Sequence, residues 1–448
     1  MTDGPAGESP ASETPDPFDP FGQVAALPRD TLVLSVAMFA FSLGFQATGR
    51  YLPQYLAVLG ASSLTIGLYG SLGNLISAVF PYPGGALSDR IGSRAALTLF
   101  GVASTAGFLV WWVAGDLASV PLGPLVVGGV TLETNLAVVT LFVGLFLSQG
   151  WKSFGLGATF AVVKQSVAPE HLAAGFAATE TFRRTAFLLG PLVAAAILAV
   201  YSFDVGFRLL LLLAALVGGV ATVAQHVLYD ATNDSLGDSF DGLATIREDL
   251  RSLPSPLRPL LVGDTLVRFA NGMVYVFFVR VVVDFRAVGA TLPVVGRLAP
   301  EAYFGVLLAV EMAVALVTMA PVARLAERVG LVPVVGLGFA VYAVFPAVIV
   351  AAPADAAVYA LLFAGSGLRF AGLPAHKALI VGPAEADAGG RVTGSYYLVR
   401  NAVTIPSAAV GGWLYGVDPR LAFGLATVVG LVGTGYFLLR GEEFAAYA

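Results

Sequence analysis

The chain has 448 residues, of which 57% are hydrophobic and only 12% charged, about half the charged share of a soluble domain. Its 24 Lys and Arg against 29 Asp and Glu give a net charge of −5, and no basic tract suggests nucleic-acid binding. No Cys is present, which excludes disulfides and thiol chemistry.

The chain opens on a tail, residues 1–28, rich in Pro, Asp, Glu, Ser and Ala and free of Lys and Arg. Such a segment buries too little apolar area to fold alone, so disorder is expected. Without a basic n-region it does not read as a secretory signal peptide. Twelve apolar spans follow, at about 31–58, 63–86, 95–114, 136–163, 172–201, 205–228, 257–284, 301–323, 331–351, 356–381, 389–415 and 419–440. Each approaches the roughly 20 residues needed to cross a bilayer. Several carry Gly or Pro, as at Gly190-Pro191 and Pro406, which membrane helices tolerate where neighbours satisfy the freed backbone. The spans group as two six-helix bundles, 29–229 and 257–440, joined by a polar linker, 230–256, and followed by a short tail, 441–448. Within the linker Phe240, Leu243, Ile246, Leu250 and Leu253 share one face, as in a helix lying at a membrane surface. With the N-terminus inside, twelve loop Lys and Arg fall on the inner side and four on the outer. The positive-inside rule then predicts both termini in the cytoplasm.

The two halves repeat each other. Gly44 matches Gly272, Gly67 matches Gly305 at an offset of 238, and GWKSFGLGA from Gly150 matches GLRFAGLPA from Gly367 at 217. Arg184 and Arg400, 216 apart, also correspond. The offset changes only across the connections between spans 1–2, 7–8 and 3–4, so the insertions lie in outer loops. A charged turn, GALSDRIGSR at Gly85–Arg94, recurs in degraded form as ARLAERVG at Ala323–Gly330, with Asp89 aligned to Glu327.

The decapeptide resembles the signature loop of the major facilitator superfamily, G-x-L-x-D-R-x-G-R-[RK]. Gly85, Leu87, Asp89, Arg90, Gly92 and Arg94 match, and Ser93 departs from it. Two motifs of the family's drug–proton antiporters are incomplete. Phe146 stands where span 4 would carry Arg, although Gln149 and Gly150 match. Span 5 keeps Gly190-Pro191 but has Ala186, Ala194 and Ala195 in place of Gly. The resemblance implies an all-α membrane protein of twelve transmembrane helices in two pseudo-symmetric bundles, with a central cavity lined by helices 1, 4, 7 and 10.

Polar residues at helical spacing point to the same spans. Span 1 carries Ser42, Gln46 and Arg50; span 4 carries Ser148, Lys152 and Thr159. Span 7 carries Asp264, Arg268, Asn271 and Tyr275; span 10 carries Ser366, Arg369 and His376. We take Gln46, Arg50, Lys152, Asn271, Tyr275, Arg369 and His376 as candidate substrate-binding residues. Lys152 and Arg369 occupy matched positions in the repeat. Two cations on one cavity would attract an anion. The alternative is neutralisation within the protein by Asp264, Glu311 or Glu180, which would leave the cavity closer to neutral and favour a lipophilic or cationic efflux substrate. Glu311 lies in mid-span 8, where burial disfavours the charged form of a lone carboxylate, as a proton-coupling site requires. Asp264 and Arg268 form an i, i+4 pair, either a simple salt bridge or a switchable pair in coupling.

Gly85, Asp89, Arg90, Gly92, Arg94, Glu327, Arg328 and Arg391 are the candidate gating residues. Asp89 would face the N-terminus of helix 11, whose dipole favours a carboxylate, beside Arg391. No phosphate-binding loop is present, His171, His226 and His376 are far apart, and no nucleophile–base pair is evident. The chain therefore reads as a monomeric secondary transporter of the plasma membrane, not an enzyme. It would need no cofactor and would move a small, anionic molecule by alternating access, with protons as the coupling ion. The competing readings are a proton-coupled efflux pump for lipophilic compounds and a transporter-like sensor or scaffold without net transport.

Overall fold

In lipid no water satisfies exposed backbone groups, so an apolar chain must close its own hydrogen bonds, and helices do this within one segment. The computed structural model describes residues 28–127, 130–155, 158–159, 162–163, 172–230, 255–293, 296–382 and 389–443. The expected disordered tail and surface linker helix lie outside these residues.

Helix α1 runs Arg29–Thr48 and continues as Leu52–Val58; α2 is Ser63–Val79 with Pro81–Ile91, bent by 44°. Then come α3 (Ser93–Ala114), α4 (Leu136–Gln149, ending in a π-helical turn at Gly150–Phe154), α5 (Leu172–Val200) and α6 (Phe203–Leu228). In the second half α7 joins Leu257–Tyr275 to Phe278–Phe285 at a 47° bend. It is followed by α8 (Pro300–Val329), α9 (Leu331–Ala351) and α10 (Ala356–Ala371 with Leu373–Val381). Helix α11 is Gly389–Thr404 with Ser407–Val417, and α12 is Pro419–Arg440. Among the described residues nine helices are long and apolar enough to cross a membrane, and two bent pairs bring the number to eleven. The twelfth expected span, α11, is interrupted at Ile405–Pro406, and its Arg400 and Asn401 lower its hydropathy. Two hairpins, β1 (Pro121–Val127) with β2 (Val130–Asn135) and β3 (Ala290–Leu292) with β4 (Gly296–Leu298), occupy the 3–4 and 7–8 connections. These are the insertions that shift the repeat offset.

An even number of crossings puts both ends of the helical body on one face, called here the terminal face. On α6, Leu209, Leu212, Leu216, Val220, Val223 and Val227 are exposed, while Leu210, Leu211, Ala214 and Ala221 between them are buried. An apolar stripe of this length has no place in water and suits lipid.

The charged turns differ from expectation in one respect. Gly85–Arg94 is not a loop: α2 stays helical to Ile91, and Gly92 alone makes the turn before α3. Gly92 has φ 84° and Gly330, 238 residues later, has φ 94°, a conformation that costs a side-chain-bearing residue. The same glycine turn thus ends both copies of the motif.

The halves meet along two helix pairs, α2 with α11 and α5 with α8. Small residues permit this. A Cβ on Gly67 would lie 2.4 Å from the Ala408 carbonyl oxygen, and one on Gly305 would lie 2.6 Å from that of Pro191. On the face opposite the chain ends, the far face, Gln54 Nε2 donates to Asp284 at 3.0 Å and Tyr51 Oη donates to the Glu301 carbonyl at 2.9 Å. Gly67→Ala should therefore force α2 and α11 apart and favour opening of the far face. With Ala61→Cys and Val417→Cys carrying spin labels, a longer distance is expected in the Gly67→Ala background. An unchanged distribution would show that this contact does not hold the far face closed.

Candidate substrate site

Two adjoining cavities lie between the halves. The larger, about 800 Å³, is lined by α1, α2, α4 and α5, with Trp111 of α3, Tyr275 and Val276 of α7 and Lys377 of α10. The smaller, about 310 Å³, is lined by α7, α10 and α11, with Gly70 and Asn74 of α2 and Tyr342 of α9. Gly70, Asn74, Tyr275 and Val276 border both, so the two are lobes of one central chamber.

Charge is unevenly distributed over these walls. Arg50, Lys152, Arg183 and Lys377 line the larger lobe, with Glu180 the one carboxylate among its lining residues. Arg268, Arg369 and Arg400 line the smaller, with no carboxylate on its wall. The compensating groups sit behind. Glu311, 3% exposed in its side chain, lies 2.6 Å from Arg369 and 3.6 Å from Arg50, and Ser366 Oγ also donates to it. Arg50 in turn stacks 4.0 Å over the Tyr275 ring. Asp264, with no exposed surface, accepts from Arg268 Nε at 3.2 Å, Arg400 Nη1 at 3.2 Å and Tyr396 Oη at 3.0 Å. His376 Nε2 is 3.2 Å from the same carboxylate, without the alignment of a hydrogen bond. In α5, Glu180 holds both Arg183 and Arg184, at 2.6 and 2.9 Å.

Several expected residues meet at the chamber. Gln46, Arg50 and Lys152 line the larger lobe, Asn271 and Arg369 the smaller, and Tyr275 both. Three expectations are corrected. Arg369 is not a free cation, because Glu311 neutralises it in a buried pair. Glu311 is for the same reason not a lone carboxylate. His376 does not line either lobe: it is buried against Asp264. Lys152, the repeat mate of Arg369, is exposed to the larger lobe and makes no ion pair or hydrogen bond among the described residues. The π-helical turn at Gly150–Phe154 carries it; the matching stretch of α10 stays α-helical to Ala371. The extra residue in a π-turn rotates what it carries relative to an α-helix.

Arg183, Lys377, Arg400 and Tyr396 were missed as site residues, since each lies outside the four polar stripes. The repeat match of Arg184 with Arg400 was the available signal for α11. On the terminal face, Arg94 Nε donates to the His226 carbonyl at 2.7 Å, tying α3 to α6. Asp89 has no hydrogen bond or ion pair among the described residues, and Arg90, Glu327 and Arg328 are exposed. A Cβ on Gly84 would lie 2.1 Å from the Phe154 carbonyl oxygen, whereas Gly85 has open space, so Gly84 is the close contact of this turn. The side chain of Arg391 lies outside the described residues.

Comparison with known proteins agrees with this architecture. The family model described as Major Facilitator Superfamily matches residues 2–137 and 34–286. An uncharacterized MFS-type transporter of Mycobacterium tuberculosis is 30% identical over 200 residues, 44% of this chain and 41% of the relative. The matched region thus spans about two fifths of that relative's length. An uncharacterized MFS-type transporter of Methanocaldococcus jannaschii is 20% identical over 419 residues, 92% of this chain and 95% of the relative. Among solved structures, a bacterial homologue of the iron transporter ferroportin in an inward-facing state superposes with a TM-score of 0.69, at 14% identity over 93% of this chain and 99% of the other. A POT family transporter in complex with 5-aminolevulinic acid superposes with a TM-score of 0.68, at 15% identity over 92% and 95%. The chain belongs to the major facilitator superfamily and has its fold.

Proposed function

We propose that this superfamily member is a secondary active transporter that moves a small organic anion by alternating access. The observation that carries the substrate class is the excess of cations over carboxylates on the chamber wall. A low-dielectric cavity lined by one sign of charge concentrates the opposite sign. The pairing of Arg369 with Glu311 removes one of the two matched cations but not the excess. Arg183 pairs with Glu180, Arg268 and Arg400 with Asp264, and Arg50 with the second oxygen of Glu311, whereas Lys152 and Lys377 have no ion pair among the described residues.

Rocking of the halves would open each face in turn. The described residues join the halves on the far face, and the larger lobe extends toward the terminal face as far as Met38, Thr159 and Lys377. With both termini in the cytoplasm of a plasma-membrane carrier, this is an inward-facing arrangement. In the outward-facing state Asp89 would dock on the N-terminus of α11. Asp89→Asn should remove that charge–dipole contact, worth about 0.3–1 kcal/mol, and shift the population toward inward-open by up to several-fold. The chain has no native Cys, so reporters on the terminal-face ends of α4 and α10 can be read directly. If they label no faster in Asp89→Asn, Asp89 is not a latch.

The test of function is counterflow in proteoliposomes with labelled organic anions, cations and neutral amphiphiles. Exchange of anions is expected. Exchange confined to cations or lipophilic neutrals would favour the efflux reading, and saturable binding without exchange would favour a sensor.

A further inference from the structure

We propose that Lys152, together with the space beside Gly73, forms a subsite for the carboxylate of an organic acid with an apolar body. The inference deepens the transport reading above and rests on it for its physiological meaning.

The argument is the repeat. Offsets of 238 hold at both Gly67–Gly305 and Gly92–Gly330, so the helices between them align residue for residue. Glu311 in α8 then corresponds to Gly73 in α2, as Arg369 in α10 corresponds to Lys152 in α4. The second half holds a Glu–Arg pair at 2.6 Å, whereas the first half holds the cation with no carboxylate at the equivalent place. Gly73 also leaves room. A Cβ there would meet only the Leu145 Cδ1, at 3.9 Å. Both Gly73 and Lys152 line the larger lobe. A cation exposed in a low-dielectric cavity is costly without a counter-charge. A substrate carboxylate supplies that charge, in the place where Glu311 supplies it for Arg369. The three rotatable donors of the ammonium suit an anion whose orientation the rest of the site fixes.

What fixes orientation is apolar. Phe45, Tyr69, Trp111, Leu145 and Trp151 give the lobe broad apolar walls, among which Gln46, Asn74 and Gln149 add amides. One carboxylate on an aromatic or aliphatic body fits both features.

The experiment uses the purified full chain and three probes: benzoate, the isosteric benzamide, and inorganic phosphate. Each is titrated at constant ionic strength with thermal unfolding as the readout, since a ligand of the native state raises stability by mass action. Benzoate should stabilise the wild type, benzamide should not, and phosphate should act more weakly than benzoate. Lys152→Gln and Gly73→Glu should each weaken the benzoate midpoint by about tenfold or more, the second by installing a built-in carboxylate. Lys152→Gln stands as the test if Gly73→Glu does not fold. Equal response to benzoate and benzamide, or an unchanged midpoint in Lys152→Gln, overturns the subsite. A phosphate response as strong as that of benzoate, lost in the same variants, overturns the carboxylic-acid assignment. Binding needs no turnover, so benzoate binding with this pattern but no counterflow would sink the transport reading alone. Anion counterflow without such binding would sink this inference alone.

Discussion

Glu311→Gln should be among the most disruptive single substitutions in the chain, in both stability and coupling. The carboxylate is 3% exposed and its partner Arg369 1% exposed, at 2.6 Å. Neutralising the Glu leaves Arg369 buried and charged. Removing one partner of a buried pair costs about 3–5 kcal/mol, because the remaining ion is uncompensated. Rings of Tyr342 and Phe370 lie 5.1 and 4.8 Å from the guanidinium carbon, and cation–π contacts of about 1–2 kcal/mol cannot replace a carboxylate. Arg369 Nε has no hydrogen-bond partner among the described residues, so the site has no reserve acceptor there. Thermal unfolding in detergent should show a large drop for Glu311→Gln. The double variant Glu311→Gln, Arg369→Met should recover most of it, since an apolar replacement of a whole buried pair is often neutral. No recovery would mean that the loss comes from the Ser366 and Arg50 contacts instead.

We also propose Glu311 as the coupling site, on its cross-half contact rather than as a lone carboxylate. Glu311 joins Arg369 of its own half to Arg50 of the other, at 3.6 Å, on the side of the chamber that is closed here. Protonation would weaken that cross-half contact, and opening of the far face would break it. Glu311→Gln should then abolish pH-driven accumulation while leaving exchange at equal pH. Loss of both activities, or of neither, would assign Glu311 to structure alone.

The fold was readable because its cause is local and repeated. Apolar runs of bilayer length and a charged motif at a constant offset need no knowledge of packing. The two hairpins were visible only as changes in that offset. The site was readable in part, and the line between the parts has a physical origin. Polar stripes on α1, α4 and α7 identified Arg50, Lys152 and Asn271 as residues that line the chamber. Periodicity gives a face but not a partner. It could not say that Glu311 reaches from α8 to Arg369 while Lys152 makes no ion pair among the described residues. Nor could it reveal the π-helical turn that turns Lys152 toward the cavity. His376 was misplaced because its stripe continues past the helix break at Gly372, beyond which the imidazole packs against Asp264 instead of lining the lobe.

Asp264 gives the second large effect, and magnitudes decide what kind of pair it is. A simple i, i+4 bridge with Arg268 would contribute about 0.3–0.5 kcal/mol, and Asp264→Asn would be nearly silent. The observed carboxylate instead has no exposed surface and draws together α7 and α11, taking Arg268, Arg400 and Tyr396 as donors, with His376 of α10 close by. Arg268 also donates to Tyr342 of α9 at 3.1 Å. Asp264→Asn keeps the shape but leaves two guanidinium groups facing each other without an anion. We expect a loss of about 3–5 kcal/mol, seen as a large fall in unfolding temperature. A double-mutant cycle with Arg400→Gln should return a coupling energy of about 0.5–3 kcal/mol, because the two share one buried network. A stability change below about 1 kcal/mol, or strict additivity with Arg400→Gln, would reduce the network to the exposed-pair case. The substitution also removes the negative charge behind a lobe walled by Arg268, Arg369 and Arg400. If that lobe receives an anion, Asp264→Asn should hold the anion more tightly and release it more slowly. Binding would strengthen while counterflow falls, a split that loss of folded protein alone does not produce.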